Sequence, residues 1–92
     1  MKQKMQEKTE NNLLIDWENV KPIELERILS LYGMKKIEYC RLRDRSKNWF
    51  HEVLRKKKYL TYSDVKILAN NIGADIFNAL LEKVRKDFSQ NK

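Results

Sequence analysis

Cysteine occurs once in this chain, at Cys40, so no disulfide can form within it. Histidine also occurs once, at His51, and without a Cys/His cluster there is no structural zinc site of the usual kind. The two glycines, Gly33 and Gly73, are too few and too far apart for a glycine-rich phosphate loop. No apolar run approaches the roughly 18 residues of a membrane span. Residues 1–12 lack the apolar core of a secretory signal. A reduced, buried Cys40 and a cytoplasmic, membrane-free protein are the expectations.

The chain does have charge. Of its 92 residues 36% are charged and 41% hydrophobic, which suits one small globular domain. Twenty Lys and Arg against thirteen Asp and Glu leave a net charge of +7. That excess points to a polyanionic partner, nucleic acid above all. A basic run, Arg41, Arg43, Arg45 and Lys47, is followed at once by Trp49 and Phe50. Cations mixed with aromatics suit single-stranded RNA, where phosphates pair with charge and bases stack, so RNA is favoured over DNA.

Residues 1–11 are polar and without periodicity, and read as a disordered tail; residues 12–92 read as the single domain. Leu13-Leu14-Ile15 running into Asp16 reads as a short buried strand. Pro22 suits the first turn of a helix, and Leu25, Ile28, Leu29 and Tyr32 share a face before Gly33 caps it. Lys36–Leu42 alternates with period two through Ile37 and Tyr39, and reads as a second strand. Ser46 is a plausible cap for a helix through Trp49, Phe50, Val53 and Leu54. Leu60–Leu68 admits two readings. It is either a third strand or a helix capped by Thr61 and Asp64, with Val65, Leu68, Ala69 and Ile72 on one face. Ala74–Phe88 is an amphipathic helix with Ile76, Phe77, Leu80, Leu81, Val84 and Phe88 inward.

Strand–helix alternation predicts a parallel sheet with right-handed crossovers. The expected fold class is therefore α/β. Asp16, ending a strand, and Asp75, opening a helix, would converge on one rim of that sheet. Two carboxylates there make a hard-oxygen site for Mg²⁺ or Mn²⁺, which could activate a water against a phosphodiester. Glu18 could supply a third oxygen, Asn19 could orient Asp16 or touch a phosphate, and Trp17 could stack on a base. The plain alternative is that Asp16 caps the following helix and Asp75 complements its own helix dipole.

Three stretches together resemble the NYN domains, a branch of the PIN-like metal-dependent nucleases. Ile15-Asp16-Trp17-Glu18-Asn19 stands where that family's first strand ends in Ile-Asp-x-x-Asn. Tyr39-Cys40-Arg41-Leu42-Arg43-Asp44 with Asn48-Trp49 looks like its second strand and the helix after it. Gly73-Ala74-Asp75-Ile76 with Leu80-Leu81-Glu82 looks like the start of its third helix. The resemblance covers about Asn12 to Phe88 and implies a small three-layer βαβαβα fold. It stops before the family's last acidic strand end, so the domain would be C-terminally truncated. It implies a metal-dependent ribonuclease, or a weak relative that binds RNA, with Asp16 and Asp75 as catalytic and metal-binding residues. A short sheet with an open edge, or a free helix face, would also let two copies pair.

A competing expectation is a small basic helix-turn-helix DNA-binding protein. Its first helix would be Ser63–Asn71, its turn Ile72-Gly73, and its recognition helix Ala74–Phe88 with Lys83, Arg85 and Lys86. The Leu60–Leu68 segment discriminates: a strand favours the nuclease, a helix the DNA-binding protein.

Overall fold

In the computed structural model, residues 17–90 are described, and they contain no β-strand. A short 3₁₀ turn, Trp17–Asn19, precedes five α-helices: α1 Pro22–Tyr32, α2 Lys36–Leu42, α3 Trp49–Leu54, α4 Tyr62–Ile72 and α5 Ala74–Gln90. The expected α/β class, with its three-layer βαβαβα arrangement and parallel sheet, is corrected to an all-α bundle. The proposed strand at Leu13–Asp16 lies outside the described residues.

The misread element is α2. Alternation would place Ile37 and Tyr39 on one face. Instead the adjacent pair Tyr39 and Cys40 is buried while Ile37 is 38% exposed. Neighbours buried together belong to a helix, whose inward face takes positions one, three and four apart. The Glu38 carboxylate accepts from the Lys35 N–H at 2.7 Å and secures the first turn. α1 begins at Pro22 as expected, and Gly33 caps it in the left-handed conformation at φ +97°. α4 settles the ambiguous segment as a helix. Thr61 Oγ1 accepts from the Asp64 N–H at 3.2 Å, and Asp64 Oδ2 accepts from the Thr61 N–H at 2.9 Å, a complete capping box.

α5 packs along α1 and against α4, while α2 packs against α3 and α4. Leu25, Ile28 and Leu29 of α1 share the core with Val65, Leu68, Ala69 and Ile72 of α4 and Phe77, Leu81 and Val84 of α5. Ile76, expected inward, is 49% exposed, because Phe77, not Ile76, faces α4 and α1. An ion pair joins the outer helices: Arg85 Nε donates to Glu24 Oε2 at 3.0 Å, and Arg85 also donates to the Asn19 carbonyl at 3.3 Å. Cys40 is buried, as expected of a structural thiol.

Two helices end on left-handed residues that are not glycine, Asp44 at φ 57° and Lys56 at φ 66°. Both are Schellman caps. After α2, the Arg45 N–H donates to the Cys40 carbonyl at 2.8 Å and the Asp44 N–H to the Arg41 carbonyl at 2.9 Å. After α3, the Lys57 N–H donates to the Glu52 carbonyl at 2.9 Å and the Lys56 N–H to the Val53 carbonyl at 3.0 Å. Aspartate tolerates this conformation better than lysine. Lys56→Gly should therefore stabilise the fold by about 0.5–1 kcal/mol, the relieved Cβ strain less the extra freedom of the unfolded glycine. A thermal melt that shifts downward for this variant would contradict the strain at Lys56.

Candidate nucleic-acid interface

The α2–α3 pair forms a helix, a turn and a second helix. Asp44, Arg45 and Ser46 make the turn, and the chain already coils at Lys47 and Asn48, since the Trp49 N–H donates to the Ser46 carbonyl at 3.0 Å. α3 is six residues long, too short to stand without packing. Trp49, Phe50 and Val53 hold it, all buried. Tyr39 of α2 meets Phe50 edge-on at 5.5 Å and Trp49 at 5.6 Å. This aromatic cluster fixes one helix of the pair against the other.

The pair is pinned to the rest of the bundle at Asp64, in the first turn of α4. That carboxylate is 1% exposed and accepts from Arg43 Nε at 2.6 Å, with Arg45 Nη2 at 3.9 Å. The Tyr39 hydroxyl donates to the Asp64 carbonyl at 2.7 Å. Burial, and then the Asp64 charge, push the Tyr39 phenol far above its ordinary pKa. It stays a neutral donor at any working pH. Arg45 turns back over the Trp49 ring, its guanidinium carbon 5.3 Å from the ring centre.

With one side of α3 buried, its other side is set by helical spacing. Asn48, His51, Glu52 and Arg55 line one shallow concavity. Glu52 Oε1 lies 3.6 Å from Lys58 Nζ. Basic side chains flank this face: Lys47 on the turn side, and Lys56 and Lys57 beyond the helix, all exposed. Cations at a helix C-terminus also meet the negative end of its dipole favourably.

The expected site residues are distributed differently from the sheet-rim arrangement. Asp16 and the Glu18 side chain lie outside the described residues. Asp75 is exposed in the first turn of α5. Among the described residues no three His, Cys, Asp or Glu side chains gather in a group able to hold a metal ion. Trp17 is occupied internally: its indole N–H donates to Asn78 Oδ1 at 2.8 Å and its ring meets Phe77 edge-on at 5.6 Å. Asn19 is exposed, and its carbonyl serves Arg85. Arg41 and Lys47 are exposed, Arg43 is committed to Asp64, and Arg45 is shared between Asp64 and Trp49.

The helices expected for the competing DNA-binding arrangement exist, as α4 and α5, but a single residue, Gly73, joins them. Arg85 is taken by Glu24, and Lys83 lies 3.9 Å from Asp87. A longer connection, residues 43–48, lies between α2 and α3. Asn48, Glu52, Arg55 and Asp64 were not among the expected site residues. The signal for the first three was the inward spacing of Trp49, Phe50 and Val53, which leaves 48, 51, 52 and 55 outward. No family model matches the chain, and neither a curated protein nor a solved structure matches it. No helix among the described residues is long and apolar enough to cross a membrane.

Proposed function

We propose that this chain is a DNA-binding domain of the helix-turn-helix kind, with α2–α3 as the motif and α3 as the helix that enters the major groove. The observation that carries this reading is the division of α3. Its aromatic and aliphatic side is locked into the core, and its other side offers Asn48, His51, Glu52 and Arg55 between basic flanks. Such a helix fits the major groove of B-form DNA, about 12 Å wide, where base edges are distinguishable. It does not fit the deep, narrow major groove of an RNA duplex. The net charge of +7 supplies the phosphate attraction. The sheet rim on which a two-carboxylate nuclease site would sit is absent among the described residues.

The test is a fluorescence-anisotropy titration with labelled duplexes of DNA and of RNA across a range of salt. Duplex DNA should bind more tightly than duplex RNA. Its log affinity should fall linearly with log salt, by roughly 0.9 for each phosphate contacted. Absence of DNA binding at low salt, or a preference for RNA, would overturn the reading.

A further inference from the structure

The face of α3 that meets solvent is not uniformly basic. Glu52 stands in its middle, 40% exposed, between Asn48 and Arg55. An acid facing a polyanion weakens binding to every sequence, so a contact for general affinity is a poor account of it. Its neighbours have defined preferences. Asn pairs with the adenine N6 and N7 edge, and Arg with the guanine O6 and N7 edge. Glu can accept from the cytosine N4 amino group; G and T offer no major-groove donor, and adenine sets its N6 donor beside an N7 acceptor that repels a carboxylate. At about 1.5 Å per residue, Asn48 and Arg55 stand roughly 10 Å apart along the axis, close to three steps of B-DNA.

We infer that Glu52 is a specificity-determining residue. It rejects duplexes lacking a cytosine at its position, inside a short site whose ends are selected by Asn48 and Arg55. This inference rests on the DNA-binding reading above. Lys58, 3.6 Å from Glu52 in the free protein, neutralises the carboxylate until a base donor replaces it. Lys58 is then released toward a phosphate. Cytosine therefore satisfies an acid that G or T leaves desolvated and unpaired and that adenine, with its N7 acceptor beside N6, pairs less well, which is discrimination by rejection.

The test has two stages. Wild-type protein first selects from a pool of random DNA duplexes. Then wild type, Glu52→Gln, Asn48→Ala and Arg55→Ala are each titrated with the selected duplex and with random duplex. Wild type should select a motif holding a cytosine, with adenine and guanine preferences about three base pairs apart. Glu52→Gln should bind random duplex at least as tightly as wild type, while its selected-to-random ratio falls roughly tenfold or more. Its lost preference should map to the cytosine position. Asn48→Ala and Arg55→Ala should relax opposite ends of the motif. A Glu52→Gln variant with the wild-type motif and ratio would overturn the inference. So would a wild-type protein that binds duplex DNA but selects no motif, although DNA binding itself would stand. A wild-type protein that binds no duplex overturns both.

Discussion

Asp64→Ala should lower the unfolding free energy by about 3–5 kcal/mol, the usual cost of removing one partner from a buried ion pair. The carboxylate is almost fully enclosed and serves three groups at once. Its removal strands Arg43, whose side chain is only 15% exposed, and frees the Thr61 N–H that opens α4. A domain of this size has about 5–10 kcal/mol in all, so the variant should be largely unfolded on mild heating. Thr61→Ala removes only the hydroxyl half of the capping box and should cost about 1 kcal/mol. Urea unfolding followed by circular dichroism at 222 nm separates the two. Equal, small effects would show that Asp64 acts merely as a cap and that Arg43 finds another partner.

The second large effect concerns binding without stability. The combined variant Asn48→Ala, His51→Ala, Arg55→Ala changes three exposed positions that bury nothing in the core. Its stability should stay within about 1 kcal/mol of wild type, as surface substitutions do. Its affinity for a selected DNA site should fall roughly 100-fold or more, since two base-reading pairs at 1–3 kcal/mol each are lost. Binding to random DNA should weaken much less, because Lys47, Lys56, Lys57 and Lys58 remain. A proportionate loss on random and selected DNA would mean that α3 touches phosphates and not bases.

The helices that could be read in advance are those whose signals are local. Pro22 and Gly33 bracket α1, and both act as their chemistry requires. Thr61 and Asp64, with Val65, Leu68, Ala69 and Ile72 inward, describe α4 in every detail once the helical reading is chosen. α2 was not legible, because seven residues make fewer than two turns. Over so short a span, alternation and helical periodicity share Tyr39 and differ at Ile37 and Cys40. With Leu13–Asp16 and one reading of Leu60–Leu68, α2 made up the expected sheet, on whose rim Asp16 and Asp75 were to meet.

The basic run was legible as charge but not as function. Arg43 has its anion 21 residues onward, and nothing near it in the chain announces Asp64. Trp17 likewise has its partner 61 residues away, at Asn78. Side chains that look available in the sequence are taken by distant groups. Those that remain presented, such as Asn48 and Arg55, cap the two ends of a helix held by the aromatic cluster of Tyr39, Trp49 and Phe50.

On the proposed DNA-binding reading α3, and not α5 or the Asp75 end of the bundle, meets nucleic acid. Backbone amide shifts recorded by NMR during titration with duplex DNA test this residue by residue. The largest changes should fall on Arg45 through Lys58, with Lys83, Lys86 and Asp75 nearly unmoved. Changes centred on α5 or around Asp75, with α3 silent, would contradict it.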